Sequence, residues 1–530
     1  MGQHFLDAMF HPRAIAVFGA SESPHRAGTR VFRNLIRNGY AGTAYPVNPK
    51  HTKVQDRKSY ARLADIEAPV DLAVVATPAP TVNAILRQCG EHGVRVAVIV
   101  SAGFRDGGEA GARLEQQLVE TAAQYGLRLI GPNCPGFMRP ATGLDASSLD
   151  TPARAGRLAL ISQSGALCTA ILDWATPHGI GFSAVVPLGN MVDVGFGDFL
   201  DYLALDSKTD AILLYVEGVR HARRFMSGVR AASRMKPVIV LKAGRREGGS
   251  RAAATHSGAL IGSDEVFGAA LERAGVVRAY NIGQLFAAAE ILQRGSRVRG
   301  ERLAMVTNGS GPGALATDRA EELGITLAQL GDATLEGLEE VLPEPRSPGN
   351  PVTIPGDAPP AHYGAVVSAC LGDGAVDGVL ALLAPQARSQ PTAAASAVID
   401  AAHTRRGKPV LACWMGETAV AEARRLFSVE GLPDFATPEL AVEAFGYLTR
   451  FNRNQKLLLE TPGPLSDHRA PDVEAARVVV EGALGEGRSL LSSGEAWTIT
   501  SAFHIPTLPL REARSAREAL VAAEILGFPV

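Results

Sequence analysis

The chain offers none of the features that would send it to a membrane, a nucleic acid or a metal. Its apolar runs, such as Val96–Val100 and Ile212–Val216, are strand-sized and far short of the roughly 20 residues a membrane span needs. There is no excess of either charge: 52 Lys and Arg stand against 54 Asp and Glu over 530 residues, a net charge of −2, which gives neither nucleic acid nor an anionic surface anything to attract. The opening MGQHFLDAMFHPR has no hydrophobic stretch and no cleavage site, so it does not read as a signal peptide. Cysteine is scarce. The five, at 89, 134, 168, 370 and 413, are odd in number and lack metal-ligand spacing, as expected of reduced thiols in a cytoplasmic protein with no metal site. Also missing is the G-x-G-x-x-G turn of a dinucleotide domain.

What is present is alternation. Short β-rich runs are followed by helix-like segments almost throughout, the pattern of α/β layers on parallel sheets. A first unit has strands at Ala14–Phe18, Ala44–Val47, Leu72–Ala76, Val96–Val100 and Leu129–Ile130 and ends in the polar stretch Ala141–Leu149. A second opens with GRLALISQSGA and a third with ERLAMVTNGSG, one device used twice: an apolar strand, a turn of small residues, a helix. The pair reads as two flavodoxin-like domains. Beyond residue 489 a helix, the turn HIPTLP and the helix SAREALVAAEILG lead to Phe528-Pro529-Val530, where an apolar strand should begin. The expectation is a fragment of a longer protein.

Three turns invite anions. After the first strand, Gly19-Ala20-Ser21 is followed by Arg26, and the second strand ends in Val47-Asn48-Pro49-Lys50. A lysine where NAD sites carry a carboxylate suits a phosphorylated coenzyme and disfavours NAD. Ser164-Gly165 and Gly309-Ser310-Gly311 each stand between a strand and a helix, where free N–H groups at the helix start favour phosphate. Between them lies Ala254-Thr255-His256-Ser257-Gly258, a histidine in a Gly-rich setting with little to pack against. Such a histidine is either a plain exposed loop residue or a phosphoryl acceptor, which needs a partner on its second ring nitrogen. Glu217, ending strand Ala211–Val216, is placed for that part, or is a solvated cap.

Longer motifs carry a resemblance. SQSGA, LYVEGV, KPVIVLKAGR and THSGALIGSDEVFGAALERAGVVR, together with VFGAS, YPVNP, GPNCPGF, TNGSGPGAL and NPVTIPGDA, are similar to the NDP-forming acyl-CoA synthetases, relatives of succinyl-CoA synthetase and of ADP-forming acetate–CoA ligase. The resemblance implies a CoA-binding Rossmann-like domain over 1–145, succinyl-CoA-synthetase-like flavodoxin domains over 152–297 and 298–462, a linker at 463–488, and the start of an ATP-grasp domain at 489–530. It makes His256 the phosphorylated residue and Glu217 its carboxylate partner. Ser164, Gly165, Gly309, Ser310 and Gly311 then face the phosphate, Gly19, Ser21, Arg26, Lys50 and Pro78 hold CoA, and Asn133 stands near its thiol end.

The implied activity interconverts acyl-CoA, ADP and phosphate with a carboxylic acid, CoA and ATP, through an acyl phosphate and phospho-His256. The implied ligands are CoA or acetyl-CoA, a small carboxylic acid, and ATP or ADP with Mg2+ in an ATP-grasp part supplied in cis or by a separate chain. A homo-oligomer is expected, and no ATP-driven turnover from these 530 residues alone. Two residues depart from the family pattern: Ser257 replaces Thr, and Thr353 replaces Asp. The segment FLDYLALDSKTDAILLYVEGVRHARRFMSGVRAASRMKPV also resembles a subgroup fused to a GNAT lysine acetyltransferase, in which this region senses acetyl-CoA. A non-catalytic CoA-binding module is the third reading.

Overall fold

Runs such as AIAVF, LAVV, VAVI, AILLYV and GVLALL are apolar at every position, which suits strands covered on both faces by helices. In the computed structural model they are buried parallel strands in three sheets. The structure describes residues 4–177, 179–246, 248–249, 263–293, 298, 300–342, 349–405, 407–460 and 470–530. It divides into Met1–Leu459, which holds these three sheets and a two-stranded one made by Lys53–Val54 and Arg57–Lys58, and Glu460–Val530.

The first sheet runs in the order Thr43–Val47, Ala14–Phe18, Leu72–Val75, Val96–Ile99, Arg128–Ile130, all parallel. The second has Val277–Ala279, Val238–Lys242, Ala211–Val216, Ala155–Ser162 and Phe182–Pro187, extended by Gly136–Arg139 and Leu144–Ser147. The third is Thr326–Leu327, Arg302–Thr307, Gly378–Leu383 and Val410–Trp414, with Val352–Thr353 also beside Arg302–Thr307. One core, including Phe10, Phe137, Phe199 and Val216, joins the first sheet to the second, and another joins the second to the third.

The expected end of the first unit needs correction. Ala141–Leu149 is not a polar connector between domains. Gly136–Arg139 and Leu144–Ser147 form an antiparallel hairpin, and its Met138 pairs with Val185 of the second sheet. Alternation explains the misreading, because Asp145 and Ser147 look polar in sequence yet are buried and bonded to each other, Ser147 Oγ donating to Asp145 Oδ1 at 2.6 Å. The hairpin is also tied back to the first unit. Asn34 Nδ2, on helix Ala27–Arg37, donates to the carbonyls of Ser147 and Leu149 at 2.9 and 2.8 Å, and Asn38 Nδ2 donates to Asp145 Oδ2 at 2.9 Å.

Burial pushes the Asp145 carboxyl up to about 6, against the opposing effect of its hydrogen bonds and of Arg33. A carboxyl whose pKa is higher folded than unfolded stabilises the fold below its unfolded pKa, and that contribution is lost as the pH rises through the folded value. The thermal midpoint is therefore expected to fall between about pH 4 and pH 6, by the equivalent of up to ~3 kcal/mol from this group. In Asp145→Asn that part of the pH dependence should vanish.

In Glu460–Val530 three helices are capped by their own sequence. Asp472 accepts from Ala475 N at 3.0 Å ahead of Val473–Gly485, Ser492 and Glu495 form a capping box ahead of Ser493–Ala502, and Ser515 accepts from Glu518 N at 3.2 Å ahead of Ala516–Leu526. Among the described residues no helix is long and apolar enough to cross a membrane.

Candidate active site

Two cavities hold most of the residues singled out by sequence. The first, about 580 Å3, lies at the carboxyl ends of the first sheet and is lined by Gly19, Ser21, Arg26, Lys50 and Pro78. Its floor has no room for side chains. Gly19 adopts φ +85°, and a Cβ there would lie 2.5 Å from the Ala76 carbonyl oxygen. A Cβ on Gly28 would meet the Gly19 carbonyl at 2.5 Å, so helix Ala27–Arg37 begins directly against the turn. Ser21 Oγ and Thr29 Oγ1 share a hydrogen bond of 2.9 Å across that junction. Asn48 Nδ2 holds the Ala20 carbonyl at 2.8 Å, and Asn48 Oδ1 accepts from the backbone of Lys50 at 3.0 Å. Two cations, Arg26 and Lys50, stand exposed at the rim. A close backbone turn, a helix start and two basic side chains fit a long, phosphorylated ligand such as CoA. Lys50→Glu is expected to weaken CoA binding about 10-fold or more in calorimetry, since one contact with a charged group is worth ~1.5–3 kcal/mol, and to leave the fold intact because Lys50 buries nothing.

Asn133 stands apart from these five. It has φ +57°, its N–H donates to the Ser101 carbonyl at 2.9 Å, and it lines a second cavity of about 700 Å3. Here parts of the first two sheets meet. Asn190 N donates to the Pro132 carbonyl at 2.8 Å, which draws the loop before the hairpin against the loop after strand Phe182–Pro187. Ser164, Gly165, Gln163 and Glu217 line the same space. Ser164 Oγ accepts from Leu167 N at 3.2 Å and caps helix Gly165–Ala175, leaving the helix start open toward the cavity. Glu217 follows strand Ala211–Val216 and is half-buried.

Gln163 is what places it. The side-chain oxygen of Gln163 accepts from the N–H groups of Glu217 at 2.5 Å and Gly218 at 3.0 Å, and its amide donates to the Gly218 carbonyl at 2.9 Å. Sequence reading passed over this residue although it sits inside SQSG. The third sheet repeats the device. Asn308 Oδ1 accepts from Ala384 N at 2.8 Å and Asn308 Nδ2 donates to the Ala384 carbonyl at 2.9 Å, while Thr307 and Gly309 mirror Ser162 and Ser164. By this register Ala384 takes the place of Glu217, so only one of the two turns carries a carboxylate.

The second turn stands outside the lining of this cavity. Gly309, Ser310 and Gly311 do not line the cavity; Ser310 and Gly311 are exposed at the start of helix Ser310–Glu322. His256 and Ser257 lie outside the described residues. Cys134 lines the cavity but is buried, with its thiol pushed up to about 12 by burial, which favours the protonated form.

Residues 13–140 match a CoA binding domain, 155–292 a succinyl-CoA ligase like flavodoxin domain, and 303–459 a ligase-CoA domain. An ADP-forming acetate–CoA ligase I of Archaeoglobus fulgidus is 36% identical over 526 residues, 99% of this chain and 74% of that protein. The chain belongs to the ADP-forming acetate–CoA ligase family. Within that family, the alpha subunit of an ADP-forming acetate–CoA ligase I of Pyrococcus furiosus is 39% identical over 84% of this chain and 98% of the subunit. A solved structure, the Ca. Korarchaeum cryptofilum dinucleotide forming acetyl-coenzyme A synthetase 1 in complex with phosphate and ADP, superposes with a TM-score of 0.80. It is 33% identical and covers 86% of this chain and 99% of its own. As a member of this family, the chain has an α/β architecture with a CoA-binding domain followed by succinyl-CoA-ligase-like domains.

Proposed function

We propose that the chain carries the CoA side of an ADP-forming acyl-CoA ligase and exchanges an acyl group between CoA and phosphate in the larger cavity. The observation that carries the reading is that one space is lined by Asn133, from the end of the first sheet, and by Ser164, Gly165 and Glu217, from the second. A phosphate oxygen attacks the thioester carbon there, the C–S bond breaks, and CoA leaves as its thiol, taking up the proton that hydrogen phosphate gives up as the acyl phosphate forms. In the next step a ring nitrogen of His256 attacks phosphorus, the bond to the acyl oxygen breaks, and the carboxylate leaves. Glu217 serves by holding the proton on the other ring nitrogen and offsetting the charge that develops on the ring. An ATP-grasp partner, in cis or as a separate chain, then takes the phosphoryl group to ADP with Mg2+. The Pyrococcus furiosus relative, described as an alpha subunit, supports a division between chains.

The first half of this scheme needs no nucleotide. With acetyl-CoA, release of free thiol should require inorganic phosphate and follow its concentration. The five cysteines are buried, so a thiol reagent reads CoA and not the protein. Thiol release that ignores phosphate, or none at all, sinks the reading.

A further inference from the structure

Arg220 shares the cavity with Glu217, three residues further along the same turn, and is half-buried. Among the described residues lining that space it is the only Lys or Arg, as Glu217 is the only Asp or Glu. A phosphate or acyl phosphate placed beside a half-buried carboxylate is repelled unless a cation stands close, because protein screens like charges less than bulk water does. The start of helix Gly165–Ala175 supplies only partial positive charge. A guanidinium supplies a full one, with paired donors matched to phosphate oxygens.

Charged groups surround Arg220 on both sides. Glu115, itself buried on helix Gly108–Tyr125, accepts from Asn190 Nδ2 at 3.0 Å and pairs with Arg105 at 3.1 Å. Its charge is thus already engaged by two partners at the edge of the cavity. Burial first, and Arg105 second, disfavour the charged form of Arg220, while Glu115 favours it. The guanidinium stays charged, and an anion in the cavity would offset the cost of burying it. On the other side of Arg220 the carboxylates of Asp193 and Asp198 are bridged to Arg128 at 2.9 and 3.5 Å, and Asp198 also to Arg224 at 3.4 Å.

We propose that Arg220 is the phosphate-holding residue of the cavity, binding inorganic phosphate or the phosphoryl end of an acyl phosphate opposite Glu217. The role assigned to the bound anion rests on the exchange reaction proposed above; the binding itself does not.

The test titrates inorganic phosphate, acetyl phosphate and acetate separately into the intact chain, read by 31P line width for the first two and by calorimetry for the third. Arg220→Gln should raise the dissociation constants of inorganic phosphate and acetyl phosphate at least 10-fold, and Arg220→Lys should recover part of the loss. CoA affinity should change less than twofold, and a thermal midpoint near that of the wild type in either variant shows the fold retained. The proposal is overturned if the wild-type chain binds no phosphate, if Arg220→Gln binds it as well as the wild type, or if only acetate affinity falls. Phosphate binding that depends on Arg220, without phosphate-dependent thiol release, removes the exchange reaction and leaves the anion site. The reverse pattern removes Arg220 from the site and leaves the reaction.

Discussion

His256→Ala is expected to abolish labelling of the chain by acetyl phosphate carrying 32P in its phosphoryl group. The wild-type chain should take up a label that acid releases and base preserves, as a phosphoramidate does, without any ATP. Glu217→Gln should still be labelled, but about 100-fold more slowly, because an amide neither stabilises a developing imidazolium nor fixes the tautomer as a carboxylate does. CoA affinity should be unchanged in both variants, since Gly19, Ser21, Arg26, Lys50 and Pro78 line a different cavity from Glu217. Label that persists in His256→Ala would place the nucleophile elsewhere. Equal rates for Glu217→Gln and the wild type would reduce Glu217 to a solvated strand end.

The largest stability effect is expected at Arg139→Met. Arg139, 3% exposed, forks onto Asp206, 8% exposed, with Nη1 to Oδ2 at 2.8 Å and Nη2 to Oδ1 at 2.9 Å. Burial alone would raise the Asp206 carboxyl, but the hydrogen bonds from Arg139 and Thr209 and the Arg139 charge outweigh it and hold it at about 2. Removing the guanidinium leaves a buried carboxylate without its counter-charge, which costs ~3–5 kcal/mol. Asp206→Asn on top of Arg139→Met should recover much of that loss, since no buried charge is then uncompensated. The pH dependence has a definite sign. A carboxyl whose pKa is lower folded than unfolded stabilises the protein above about pH 4, and the contribution disappears as the pH falls from there through about 2. Thermal midpoints at pH 7 and pH 3 for the two variants check both statements. A midpoint for Arg139→Met within a degree of the wild type at pH 7 would show that the pair contributes nothing.

The central strands of the three sheets were readable where a continuous apolar run is closed by a turn of small residues, as in Ala14–Phe18 with Gly19 or Arg302–Thr307 with Asn308-Gly309; the short Val277–Ala279, Thr326–Leu327 and Val352–Thr353 were not, since two or three residues carry no pattern. The hairpin was not, because Asp145 and Ser147 satisfy each other in the interior, and periodicity reads any polar side chain as exposed. The cavity at the carboxyl ends of the first sheet was legible from backbone chemistry: a turn without side chains, a helix start and Lys50 at the end of the second strand. Gln163, Asn190 and Arg220 escaped because their roles depend on a partner more than 50 positions away or on a shared cavity. No local pattern marks a glutamine whose amide braces the turn carrying Glu217. Its signal was the repeat itself, since Asn308 occupies the matching position in the second NGSG-type turn. Family likeness reached residues that geometry here does not, His256 above all.

The hairpin has a mechanical consequence. It leaves the first sheet after Ile130, is sewn into the second, and is pulled back onto helix Ala27–Arg37 by Asn34 and Asn38. The place where the chain passes from one domain to the next is therefore not a hinge but a strap fastened at both ends. A fragment ended at residue 145 would keep Phe10 against Phe137 but strip Met138 of its partners in the second sheet, forfeiting ~1.5–3 kcal/mol of burial there. In the intact chain the strap ties the sheet that carries the first cavity to the sheet that carries the turn bearing Glu217. On the exchange proposed above, the span between coenzyme and phosphate is set by this fastening, and reach is left to the ligand's own flexible arm.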